Sequence, residues 1–346
     1  MRRYRRTLVA IALMATLVSG TAGWAAGSGQ RPVDGPPPGT AAWRHDGAFG
    51  RALPDPETAA PAQVAAFFAT LSATQRQELT ERHPSVVGNL DGVPVEIRYR
   101  ANRLALAKDP RYSRLAAPGR QIVAFDPRGR GTVAEVYGDL LTSRHIAVVV
   151  PGSDIDAGTY DRSGDAYGTP AGMATSLRTA TGGRTAVVAW AGYTTPVGVG
   201  LDAATGELAE VGAERLARFT EGLAAVGAGT PKLFCHSYGS VVCGLAASEA
   251  AASDIVVLGS PGMRADTVDA LRTDARVWAA KDPSDWISKV PNVEFLGLGH
   301  GADPAAADFG ARRVPARTAH GHTGYFAPGT DSLRAFASIA TGGEVR

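Results

Sequence analysis

The chain has 346 residues, 45% of them hydrophobic and 20% charged, with a net charge of +2. That composition supports a sizeable buried core and excludes a disordered or low-complexity chain. Arg2, Arg3, Arg5 and Arg6 open the sequence; without them the balance turns slightly negative, so nucleic acid is not expected as a partner.

In chain order, residues 1–26 read as an export leader. "MRRYRR" is cationic, "TLVAIALMATLVSG" is apolar, and "TAGWAAGSG" offers small residues for cleavage. "RRTLV" has twin-arginine spacing. An uncleaved anchor is the alternative, because residues 7–27 are nearly long enough to span a bilayer. The protein is therefore expected to be secreted or held at the cell envelope. Residues 27–54, with "PVDGPPPGT", are too rich in proline and glycine to order themselves and are expected to form a linker.

Residues 55–117 turn helical. Val64, Phe67, Phe68 and Leu71 recur at helical spacing, and Ser72 to Gln75 has the form of a capping box. "VEIRYRANRLALA" continues the pattern after a break.

From 118 to 346 the period changes. "QIVAFD" and "GTVAEVY" predict a hairpin, followed by strands at "HIAVVV", "TAVVAW", "KLFC", "DIVVLG", "ARVWAA" and "VEFLGL". Helical stretches separate most of them, which predicts an eight-stranded, mostly parallel sheet covered by helices on both faces. Reactive groups in such a sheet gather at the carboxyl ends of the strands.

Three loops carry the chemistry. After the third strand, "VVVPGSD" places Gly152 where backbone can approach closely, and the Ser153 N–H is a candidate oxyanion donor. "DIDAGTYDRSGD" is acidic, but it lacks calcium-loop spacing and reads as a solvated loop. At the fifth strand, "CHSYG" is a nucleophile elbow with Cys235 in place of the first glycine. It makes Ser237 the candidate nucleophile and the Tyr238 N–H the second oxyanion donor. Cys235 and Cys243 could pair, although small buried hydrophobes are the expected role across so sharp a turn.

After the seventh strand, "KDPSDWISKVP" offers Asp285 as the acid, with Asp282 as the alternative. The base must come later, and His300, His320 and His322 all qualify by chain order. These histidines with Asp303 lack metal-site spacing, and neither a metal nor a cofactor is expected.

Segments including "VVVPGSD", "VVAWAGY", "CHSYGS", "GLGHGADP" and "HTGYF" together resemble an α/β-hydrolase family of exported proteins from high-GC Gram-positive bacteria, long grouped as a domain of unknown function. The resemblance covers residues 80 to 340. With a more distant similarity to lipases bearing H-x-x-Y-F near the end, it implies that His322 is the base and favours Asp285 as the acid. Glycine usually stands where this chain has Cys235.

Only about fifteen residues separate the sixth and seventh strands, too few for an inserted cap. Any cover would have to come from elsewhere, for which the N-terminal helices are one candidate, with Trp190, Tyr193, Trp286 and Phe326 as aromatic walls. The expected function is an exported Ser-His-Asp esterase, secreted or at the cell envelope, acting on a small-molecule or lipid ester. The alternatives are a non-catalytic binding scaffold of the same fold and a serine peptidase or thioesterase. The sequence does not specify the oligomeric state.

Overall fold

The structure, a computed structural model, describes residues 29–345. The leader expected at 1–26 lies outside the described residues. No helix among the described residues is long and apolar enough to cross a membrane.

Strands β1 (Ile122–Asp126), β2 (Thr132–Tyr137), β3 (His145–Val150), β4 (Thr185–Ala191), β5 (Lys232–His236), β6 (Asp254–Leu258) and β7 (Arg276–Ala280) form one sheet with β10 (Arg312–Val314). Their spatial order is β1-β2-β4-β3-β5-β6-β7-β10, with β2 antiparallel to its neighbours and β3 to β10 parallel. This is the α/β-hydrolase fold that the family resemblance implied, built on the sheet anticipated from the alternating apolar runs.

The central strands β3 and β5 are buried almost throughout, as their continuous apolar composition requires of a sheet covered on both sides. Helices at Glu207–Ala225 and Gly239–Ala246 cover one face, and helices at Pro170–Ala180 and Asp331–Ala340 the other.

The eighth strand of the sheet is not the expected "VEFLGL". That run forms a separate small hairpin, β8 (Glu294–Phe295) with β9 (Leu298–Gly299). Leu296 and Gly297 both take positive φ there and turn the chain back on itself before a sheet-length strand can form. The edge of the sheet is filled instead by "RRV", a three-residue strand whose arginines stay in water, as befits an edge.

Residues 29–54, the described part of the stretch expected to be an unordered linker, are tied to the rest of the fold. Trp43 is fully buried, and its indole N–H donates to the Pro54 carbonyl at 2.8 Å. Arg128 Nη1 donates to Asp34 O at 3.0 Å. Prolines stiffen this segment, and hydrogen bonds from its own side chains, such as Thr40 and Trp43, and with Arg128, Thr194 and Asp202 elsewhere fasten it.

Helices at Pro61–Ala69, Ala73–Arg82, Pro84–Val87 and Val95–Ala107 then build a small apolar cluster around Val64, Phe68 and Leu79. The capping box forms: Gln75 N–H donates to Ser72 Oγ and Ser72 N–H to Gln75 Oε1. The cluster docks on the long helix Glu207–Ala225, where Arg218 reaches Ala59 O (2.7 Å), and on the free edge of β1. There the Asn89 side chain pairs with Phe125 N–H and C=O as a neighbouring strand would.

Candidate active site

Ser237 stands between β5 and the helix Gly239–Ala246, at the carboxyl end of the sheet. Its φ of 54° is the strained left-handed conformation of a nucleophile elbow. Its N–H donates to Leu258 O (3.0 Å), fixing the turn to the end of β6, and the side chain remains partly exposed. The crossing is too tight for side chains nearby. A Cβ on Gly239 would lie 2.5 Å from Val150 O, and one on Gly152 would lie 2.6 Å from Ser237 Cβ.

At the remaining small position, Cys235 is accommodated by bonding. It forms a disulfide with Cys243 (Cα–Cα 6.4 Å), rather than the pair of independent buried hydrophobes that was expected. Cys235 is the penultimate residue of the strand, and the helix after the elbow packs back beneath it. The sharp turn therefore brings together the residues it separates in sequence.

The two expected oxyanion donors border the serine. The N–H groups of Ser153 and Tyr238 make no hydrogen bond to any other described residue. Both halves of this pocket are held by phenols. Tyr193 donates its hydroxyl to Pro151 O (2.7 Å), at the start of the Ser153 loop, and stacks on Tyr238 at 6.5 Å. Tyr238 donates to Thr205 O (2.8 Å).

On the other side, His322 Nδ1–H donates to both carboxylate oxygens of Asp285, at 2.9 and 3.0 Å. That bond fixes the tautomer and leaves Nε2 as the basic nitrogen. Among the described residues no hydrogen bond joins Nε2 to Ser237 Oγ; in free enzymes that contact commonly tightens only when substrate binds. Asp285 is 2% exposed. Burial pushes its pKa up, but hydrogen bonds from His322, Ile287 N–H and the Tyr325 hydroxyl (2.7 Å) outweigh that and hold it below the usual carboxylate range.

Asp282, the alternative acid, is occupied otherwise. Its carboxylate accepts from Ser284 N–H, Ser284 Oγ–H (2.5 Å) and His320 N–H (3.0 Å), while Ser284 Oγ accepts from Gly321 N–H. It thereby clamps the loop that carries His322. Tyr325 bridges the two aspartates, accepting from Asp282 N–H (3.0 Å) and donating to Asp285 Oδ2. His236 donates from Nε2 to His322 O (2.7 Å). Its burial, with His322 alongside, lowers its pKa to about 3, so it stays a neutral donor.

Among the described residues the other histidine candidates make no hydrogen bond to Asp285. His300 is buried against Tyr238 with Nε2 donating to Ala203 O (2.7 Å), and burial lowers its pKa to about 4. His320 is exposed. Of the four aromatic walls, Trp190, Tyr193 and Phe326 are core residues. Only Trp286 presents surface, with its ring 4.7 Å from that of His322. The buttressing roles of Tyr193, Tyr325, His236 and Asp282 were not anticipated from sequence; the tyrosine of H-x-x-Y-F was the available signal for Tyr325.

A family profile described as alpha/beta hydrolase matches residues 126–295, from the end of β1 to the β8 hairpin. The fold and this match define an α/β-hydrolase-fold protein. Two uncharacterized proteins of Mycobacterium tuberculosis, from strains CDC 1551 and H37Rv, are each 28% identical over 376 residues. Those alignments cover 84% of this chain and 57% of theirs, so the chain spans little more than half the length of the curated relatives it matches.

Among solved structures, a dienelactone hydrolase from Anabaena variabilis is similar at 16% identity and a TM-score of 0.40, over 61% of this chain and 90% of that one. XC6422 from Xanthomonas campestris, described as an a/b serine hydrolase without lid, is similar at 17% identity and a TM-score of 0.33, over 49% of this chain and 74% of that one.

Proposed function

We propose that this protein is an exported serine hydrolase that cleaves carboxylic esters of lipid or acylated envelope molecules. The observation that carries the reading is the pairing of His322 Nδ1 with the buried Asp285 carboxylate beside an elbow serine.

His322 Nε2 takes the Ser237 proton as Oγ attacks the ester carbonyl, and the negative charge on the carbonyl oxygen is met by the N–H groups of Ser153 and Tyr238. His322 then passes the proton to the departing alcohol, leaving an acyl group on Ser237. Water, deprotonated by the same nitrogen, releases the acid and restores the serine. Asp285 holds the ring in the required tautomer and stabilises the imidazolium. The chemistry calls for no metal or cofactor.

Export is supported by the cationic and apolar leader sequence and by the Cys235–Cys243 disulfide, a bond typical of oxidising compartments. The test is a panel of matched esters, thioesters and peptide anilides, with the trapped acyl group located by mass spectrometry. Ester turnover with acylation at Ser237, abolished by Ser237→Ala, is expected. Turnover of peptides alone would reassign the leaving group, and turnover that survives Ser237→Ala would sink the mechanism.

A further inference from the structure

Nine large apolar side chains stand exposed among the described residues, and seven come from two loops at the carboxyl edge of the sheet. Val197, Val199 and Leu201 follow β4, whereas Val293, Leu296 and Leu298 follow β7 together with Trp286. Isolated exposed apolar residues are ordinary; a concentration on loops flanking one reactive serine is not.

The loops are fastened to the site and to each other. Gly198 N–H donates to Asp154 Oδ1 (2.8 Å), next to the Ser153 loop. Arg264 bonds Glu294 and the Gly297 carbonyl (both 3.0 Å) and lies against Gly206 at the end of the first loop. His300 joins the foot of the β8–β9 hairpin to Ala203.

Leu296 is the most telling residue. It and Gly297 form the two-residue turn of the hairpin, with φ of 50° and 80°. A turn with two positive φ values favours asparagine, aspartate or glycine at its first position. Leucine there bears a backbone cost, and its side chain is 86% exposed. Neither the turn nor the core accounts for it; a partner that takes up apolar groups does.

The chain also enters the described structure on this rim. Gln30 N–H donates to Asp202 Oδ2 (3.0 Å), adjacent to Leu201, and Val33 N–H to Thr194 Oγ1 (3.0 Å). The preceding sequence contains the uncharged run Leu8–Val18, whose composition suits a lipid phase.

We propose that this rim docks on a phospholipid bilayer and, granted the ester-hydrolase reading on which this part rests, presents Ser237 to esters held in the lipid surface.

The test uses the full chain and vesicles of phosphatidylcholine with phosphatidylglycerol. Both native cysteines are bonded to each other, so an environment-sensitive dye can be attached selectively in Leu296→Cys and, as a control on the opposite edge of the sheet, Glu249→Cys. Vesicles are expected to shift the 296 dye to the blue and leave the 249 dye unchanged. Equal shifts at both positions, or none at 296, would overturn the docking. So would a 296 shift produced by raising protein concentration without lipid, which would make the rim a self-association surface.

Combining Val199→Asp with Leu296→Asp, both solvent-facing and the second compatible with positive φ, is expected to lower hydrolysis of vesicle-embedded ester about tenfold relative to soluble ester. Insertion of the 296 dye without turnover of any ester would defeat the hydrolase reading and leave the docking standing. Ester turnover without insertion would do the reverse.

Discussion

The two halves of the site are held by different kinds of bond. On the oxyanion side, Tyr193 and Tyr238 donate to the carbonyls of Pro151 and Thr205, neutral groups on both ends. On the acid–base side, Tyr325, Ile287 N–H and His322 converge on one buried carboxylate, and Asp282 grips the neighbouring loop with a second. Hydrogen bonds to an ionised group are roughly twice as strong as neutral ones. The proposed oxyanion half can be positioned by packing because its working groups are backbone N–H groups, that of Tyr238 set by the elbow and that of Ser153 by the loop after β3 that Tyr193 holds. The proposed base, His322, rides on a long loop after β10 that is held through charged groups.

This contrast can be broken or sharpened by substitution. The largest effect is expected from Asp285→Asn, which preserves shape but lets the histidine take the wrong tautomer; kcat should fall about 10³–10⁴-fold in steady-state assays. Tyr325→Phe removes one charge-assisted donor and should lower kcat about tenfold or somewhat more, with little change in KM. It should also move the acidic limb of the pH–rate profile, because the carboxylate that orients His322 has lost a partner.

Tyr193→Phe removes a neutral bond and should cost only about threefold in kcat, with the pH profile unmoved. If Tyr193→Phe proved the more damaging of the two, the contrast between the halves would fail.

The smallest effect concerns stability. His300 titrates at about 4 when folded and, like any free histidine, near 6.5 when unfolded. The unfolded chain therefore binds more protons between those values. The contribution of His300 is intact above roughly pH 6.5 and is lost as pH falls toward 4. His300 should account for a loss under about 1 kcal/mol in thermal melting between pH 7 and pH 6, beside a similar one from the buried His236, and His300→Gln, which keeps a donor for Ala203, should remove the His300 share of that slope.

The sequence made the chemistry more legible than its supports. Ser237 could be read as a candidate because a strand, a tight turn and a helix leave a local pattern, whereas chain order offered two aspartates and three histidines, among which the family and lipase resemblance pointed to Asp285 and His322. The strands β1 to β7 were visible as apolar runs because a covered sheet demands them.

What escaped was set by distance in space. The edge strand Arg312–Val314 is too short and too basic to register as a strand. The hairpin at 294–299 was misread because Leu296 and Leu298 are exposed rather than packed in the core. The disulfide depends on the helix folding back under β5. The Asp282 clamp and the Tyr325 bridge depend on two loops, some forty residues apart in sequence, meeting over the sheet.

The most direct test of the account is labelling with a fluorophosphonate, whose modified residue is located by mass spectrometry, in the wild type and in His322→Ala and His300→Ala. The account predicts labelling at Ser237 that is lost with His322→Ala and retained with His300→Ala. Labelling that disappears with His300→Ala and persists with His322→Ala, or a folded wild type that does not label, would contradict it.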